Sequence, residues 1–160
     1  CFEMFDGTND GRADLMVGSE NITGSPMGPV FYFRAMFLPV LDAKVNGDDG
    51  PINVPKTNPL EFKIAVQPGS LDGVQCDWWV WLEKGYFNKW WCQYNGGARK
   101  WTKNVTPIRF AGAAVQQVNG YKVLGPRTVP AGTYYFRFAI DEKNDEYEGT
   151  FYDEVQIVTY

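Results

Sequence analysis

Cys76-Asp-Trp-Trp-Val-Trp-Leu-Glu-Lys-Gly-Tyr-Phe-Asn-Lys-Trp-Trp-Cys92 is the stretch on which the reading of the fold turns. Two aromatic runs flank a polar, glycine-containing centre, the pattern of two antiparallel strands joined by a short turn. Folding the stretch at Lys84 sets Cys76 opposite Cys92, Trp78 opposite Trp90, Val80 opposite Asn88 and Leu82 opposite Tyr86. Strand side chains alternate between faces, so Cys76, Trp78, Val80 and Leu82 share one side. Asp77, Trp79 and Trp81 share the other, opposite Trp91, Lys89 and Phe87. Directly opposed positions bring Cβ atoms close enough for aromatic pairing, and for a Cys76–Cys92 disulfide where the geometry allows. The alternative is two buried thiols. One face supplies a core; the other carries more tryptophan than a solvated face favours.

Working outward, 160 residues fit one domain large enough to bury a real core. Aromatic residues make up 16% of the chain, and 17 glycines and 10 prolines accompany them. That profile belongs to short strands joined by many turns. The net charge is −4 and no run of Lys or Arg occurs, which argues against nucleic acid or an anionic membrane surface as partner. No apolar stretch reaches the roughly 20 residues of a membrane helix. A chain that opens on Cys1 reads as a processed product, and a disulfide would place it in an oxidising compartment, extracellular or at a cell surface.

Asp6-Gly-Thr-Asn-Asp-Gly-Arg-Ala-Asp-Leu15 has the spacing of the front of a calcium loop. Asp6, Thr8, Asp10 and Asp14 would offer side-chain oxygens and Arg12 its carbonyl, making calcium the expected cofactor. The twelfth position is Val17, so the bidentate Glu of an EF-hand is missing. The stretch instead resembles the Asp-rich calcium loops of dockerins, thrombospondin-type repeats and integrin-like propeller repeats. A solvated Asp/Gly turn is the other reading.

Val30-Phe-Tyr-Phe-Arg-Ala-Met-Phe-Leu38 is strand-like, with Phe31, Phe33 and Phe37 on one side and little polarity on either. Leu60–Val66 alternates cleanly, with Leu60, Phe62, Ile64 and Val66 inward. Tyr94–Trp101 reads as a loop, and Thr106–Ala111 and Tyr121–Leu124 as weaker strands. A turn at Val129–Gly132 leads into a strand with Tyr134, Phe136, Phe138 and Ile140 inward. Asp141–Gly149 is an acidic loop before a last strand over Phe151–Tyr160. Eight or nine short strands with no helical period predict an all-β, antiparallel, Ig-like β-sandwich. We place an N-terminal segment over residues 1–42 and the sandwich module over 43–160.

Gly50-Pro-Ile-Asn-Val54, Val66-Gln-Pro-Gly-Ser70, Asp77-Trp-Trp-Val80, Trp101, Pro130-Ala-Gly-Thr-Tyr-Tyr-Phe-Arg-Phe138 and Tyr152-Asp-Glu-Val155 follow one another in a familiar order. Over roughly residues 43–160 they resemble a module of secreted and surface proteins from sulfur- and metal-reducing bacteria. That module reads "DGPI", "PGSYAG", "ADWW", a later Trp, "LPAGTYTFYFGVD" and "YYDSV". The resemblance implies an extracellular, Ig-like, non-enzymatic unit and assigns no reaction. Two departures stand out. The stretch after Ile140 is shorter and differently spaced than the family's calcium-loop-like segment, and the position of Cys76 is usually a small residue, so a disulfide is not inherited. The Pro-Ala-Gly-Thr-Tyr turn is also similar to the turn of fibronectin-type sandwiches, which implies that Tyr134 bonds back to nearby backbone.

The chain has no histidine, so the commonest general base and transition-metal ligand are missing. Nucleophile elbow, P-loop and paired-cysteine motifs are absent too. Two carboxylates suffice for a glycosidase, but only Asp77 has a conspicuous setting, and it reads as a polar strand-face residue. The chain is therefore expected not to be an enzyme. Trp79, Trp81, Trp91 and Trp101 admit three readings: core under a covering segment, an open platform for polysaccharide, or an interface to another protein. The apolar stretch 30–38 tips the balance to assembly. The expected function is a structural or adhesive surface module, a filament subunit joined by strand addition to copies of itself or to other surface proteins. The alternative is a carbohydrate-binding module.

Overall fold

Alternation carries Leu60, Phe62, Ile64 and Val66 to one side of a single strand, and Tyr134, Phe136, Phe138 and Ile140 to one side of another. In a computed structural model of the chain these two faces meet. The structure describes residues 38–85 and 88–160, together with the backbone of three N-terminal strands. Those three are β1 (Phe2–Phe5), β2 (Asp14–Val17) and β3 (Phe31–Tyr32), paired antiparallel in the order β1-β2-β3. They belong to a compact unit over Cys1–Phe37, and a second unit spans Leu38–Tyr160.

Ten strands build the second unit. They are β4 (Val40–Val45), β5 (Ile52–Val54), β6 (Leu60–Gln67), β7 (Gln75–Glu83), β8 (Lys89–Asn95), β9 (Ala98–Lys103), β10 (Ala111–Ala114), β11 (Val118–Arg127), β12 (Gly132–Glu142) and β13 (Phe151–Thr159). One sheet runs β11-β6-β4. The other runs β5-β13-β12-β7-β8-β9, with β10 on the first half of β7. The expected all-β sandwich is therefore present. The inner faces enclose one core, in which Phe62 of the smaller sheet meets Phe136 of the larger edge-on at 5.0 Å. Tyr134 also donates its hydroxyl to the carbonyl of Pro130 at 2.9 Å, the corner bond anticipated for this turn. Among the described residues no helix is long and apolar enough to cross a membrane.

The second compact unit opens at Leu38, and Val40–Val45 hydrogen-bonds along β6 as a full edge strand. Within the stretch 30–38, Phe31–Tyr32 is the described strand and pairs with Met16–Val17 in the N-terminal sheet, while 30 and 33–37 lie outside the described residues. One expectation changes here. Tyr94–Trp101 is not a loop: β8 turns through Gly96 and Gly97, both at positive φ, into β9.

The tryptophan hairpin is also offset from its expected register. Trp81 faces Trp91, Leu82 faces Trp90 and Glu83 faces Lys89. The chain reverses around Gly85, where the Lys84 amide donates to the Asn88 carbonyl at 2.8 Å, later than a fold at Lys84 allows. The expected partners are displaced by four residues, an even number, so every side chain keeps its face. Cys76 and Cys92 still point into the core but no longer face each other. Cys76 lies beside Ala113 and Glu142, Cys92 beside Trp101, and both are free thiols. The disulfide expectation is overturned by the register.

The edges of this unit are guarded. β9 carries Arg99, Lys100 and Lys103, β5 has three residues, and β11 has repeated register shifts against β6. On β4 the Ala43 amide donates to Asp153 Oδ2 at 2.7 Å and the Val45 amide to the Asp48 carbonyl at 2.9 Å.

The bend between β4 and β5 depends on Gly50. Its φ is +80°, and a Cβ there would lie 2.7 Å from Val155 Cγ1, a core side chain. Gly50→Ala is expected to lower stability by about 1–3 kcal/mol through left-handed strain alone, with the steric overlap adding to it. A shift of the urea midpoint at unchanged m-value would measure the loss.

Candidate functional site: a capped tryptophan cluster

The outer face of the larger sheet brings Trp79 and Trp81 of β7 beside Trp91 of β8. Ala139, the β12 partner of Trp79, contributes only a methyl group at the cluster's inner edge. Trp81 and Trp91 stack at 4.9 Å with 26° between their planes, and Trp79 meets Trp91 edge-on at 6.3 Å. All three are at most 2% exposed, so they do not form an open platform. The cover is the acidic loop after β12, with Ile108 at the side. Tyr147 sets its ring edge-on to all three indoles, at 5.7 Å from Trp79, 5.2 Å from Trp81 and 6.2 Å from Trp91.

Two buried carboxylates hold that cover. Asp77 and Asp141 are register partners on β7 and β12, 0% and 1% exposed. Buried anions need donors, and both have them. Asp77 accepts from Arg109 Nη1 at 2.8 Å and from the amides of Asn144 and Asp145 at 3.1 and 2.7 Å. Asp141 accepts from the amides of Glu148, Gly149 and Thr150 at 2.9, 3.0 and 2.6 Å. One acid thus fixes the first limb of the loop and the other the second. Arg109 also pairs with Asp145, tying the strap to the segment before β10.

These partners are N–H donors, the environment of an anion and not of a cation. No group of metal-ligating side chains occurs among the described residues. The six contacts engage both oxygens of each acid.

Around the cluster, Arg137 bridges Glu83 and Glu154 at 2.9 and 2.7 Å, and Lys89 lies 3.7 Å from Glu83. The Arg137 guanidinium also lies 5.9 Å from the Trp81 ring centre. Burial pushes the Tyr147 phenol above its ordinary pKa, and the neighbouring charge of Asp141 adds to the shift. The indole of Trp91 donates to the Asn104 carbonyl at 3.2 Å. The buried Nε1 groups of Trp79 and Trp81 have no acceptor among the described residues.

Trp101 packs against the central core, on the opposite side of the sheet, and donates to the Val123 carbonyl. Cys76 and Cys92 also belong to that core, where burial pushes the Cys92 thiol up to about 12. Asp6, Thr8, Asp10, Arg12, Phe33 and Phe37 lie outside the described residues. Asp14 opens β2 and Phe31 opens β3. Tyr147, Asp141 and Arg109 were not anticipated. The available signals were an acid inside an apolar strand and a lone aromatic in an acidic loop. Compared with known proteins, the chain matches no family model, no curated protein and no solved structure.

Asp77→Ala would release Asn144, Asp145 and Arg109 together. The expected cost is about 1–3 kcal/mol, since an exposed loop recovers part of its hydrogen bonding from water, with loss of near-UV circular dichroism from the tryptophans. Alkylation followed by peptide mapping checks the cysteines: Cys76 and Cys92 should stay unmodified in the native protein and react in denaturant without reductant.

Proposed function

We propose that the chain is a non-enzymatic structural or adhesive module, displayed outside the cell or on its surface. The observation that carries this reading is the use made of Asp77 and Asp141. The most conspicuous acids of the sandwich hold a strap over buried tryptophans, where a carboxylate-only hydrolase would keep them free to exchange protons. The family resemblance and the turn-rich, aromatic composition support display outside the cell.

Assembly is assigned to the N-terminal segment. The edges of the 38–160 unit are guarded against pairing, whereas β3 is an edge strand of its own sheet and lies within the apolar stretch 30–38. Partners are copies of this chain or other surface proteins. Calcium at Asp6, Thr8, Asp10, Arg12 and Asp14 would order the segment that presents that edge.

Light scattering and electron microscopy of the full chain over a rising concentration series test the assembly. Oligomers or filaments are expected in calcium, with dissociation on chelation and in Phe33→Asp. A monomer at every concentration with calcium present would defeat assembly, and recovery of the native protein from the cytoplasm would defeat surface display.

A further inference from the structure

Trp79 and Trp81 are each 2% exposed, and their Nε1 groups are buried without an acceptor among the described residues. A buried donor left unpaired forfeits the hydrogen bond it makes with water, and two of them side by side on one face call for an explanation. Of the other indole donors in the sheet, Trp78 is satisfied by the Ala113 carbonyl, Trp91 by Asn104 and Trp101 by Val123, and Trp90 is partly open to solvent. Among the described residues the buried deficit is that of the two tryptophans beneath Tyr147.

The backbone of the cover is held on both sides of Tyr147. Asp77 fixes Asn144 and Asp145, Asp141 fixes residues 148–150, and the Glu146 amide is held by Asn144 Oδ1 at 2.8 Å. Tyr147 lies between these fixed points and is only half-buried. Its ring rests on the three indoles, and its hydroxyl end lies against Gly149, where a Cβ would stand 3.0 Å from the oxygen. Tyr147 is thus the loop side chain set against all three indoles, between two held stretches of backbone.

We infer that Trp79, Trp81 and Trp91 form a gated binding site for a neutral glycan, with the Tyr147 side chain as the gate. The inference rests on the adhesive reading above and names its ligand class. A pyranose lays a flat C–H face on an indole and brings hydroxyl oxygens that accept from Nε1 of Trp79 and Trp81. An aliphatic ligand would leave both donors unpaired. On the side away from the loop, Arg137 and Lys89 pair with Glu83 and Glu154 and supply further partners for hydroxyls; the acidic loop on the other side disfavours an anionic ligand. Closure by Tyr147 lowers the apparent affinity by the fraction of molecules in which the gate is open.

The test compares the full chain, Tyr147→Ala and Tyr147→Ala/Trp81→Ala by iodide quenching of tryptophan fluorescence and by calorimetry. The probes are β-1,4-linked hexamers of glucose, xylose and N-acetylglucosamine. Tyr147→Ala is expected to gain iodide-accessible tryptophan and to bind a hexamer about tenfold more tightly than the wild type, as removing a gate open in about a tenth of molecules requires. Bound hexamer should restore protection, and the added Trp81→Ala should abolish binding. A Tyr147→Ala protein that melts cooperatively and gains quenching, yet binds no hexamer, overturns the inference. So does unchanged quenching in that variant. Should Tyr147→Ala fail to fold, the wild type decides: a Trp81-dependent fluorescence change at millimolar hexamer supports the site, and its absence overturns it. A negative glycan result leaves surface display and assembly untouched, since localisation and light scattering test those separately.

Discussion

Strand β7 is apolar on both faces, and that single constraint shapes the rest of the unit. Its inner face, Cys76, Trp78, Val80 and Leu82, is buried by the facing sheet. Its outer face carries Trp79 and Trp81, and a sandwich has no third layer to cover them. A strand buried on both sides is normal where helices cover both faces of a sheet. Here one loop does the work of that layer, by placing a single tyrosine against three indoles.

The eight-residue loop 143–150 is rich in charge and brings one tyrosine to the cluster, so most of its fastening is electrostatic. Asp77 and Asp141 sit side by side at the base, where like charges repel, and each is compensated by three N–H donors. The loop amides gain strong acceptors, and the acids gain a substitute for water. Cover and clamp therefore depend on each other: without the loop the acids lose most of their donors, and without the acids the loop loses its anchor points.

The edges follow a different logic. Bulges on β11, cations on β9, brevity in β5 and the Asp153 cap on β4 each remove a template for pairing. These four guarded edges leave faces and loops as open surfaces of the unit. The capped cluster lies on such a face, and the apolar strand segment lies in the other compact unit.

Sequence alone determined which side of each strand is buried. Period-2 alternation is local, so the inward sets of β6, β12 and β13 and the division of tryptophans between the faces of β7 could be read residue by residue; the bond of Tyr134 to nearby backbone was implied only by the likeness of its turn, and the fold supplied Pro130 as the partner. Only the tertiary structure decided how far each strand slides along its neighbour. A shift of four residues keeps every face, so no local pattern distinguishes Trp78 opposite Trp90 from Trp81 opposite Trp91. That shift separates Cys76 from Cys92. It also leaves the first half of β7 to β10, a short stretch of Ala and Gly with little pattern of its own. β9 was equally illegible, because Arg99 and Lys100 break the alternation and the strand is held by its pairing to β8. The role of Asp77 was the furthest from the sequence. Its donors come from Arg109, 32 positions away, and from amides 67 and 68 positions away, and only the folded sheet brings them together.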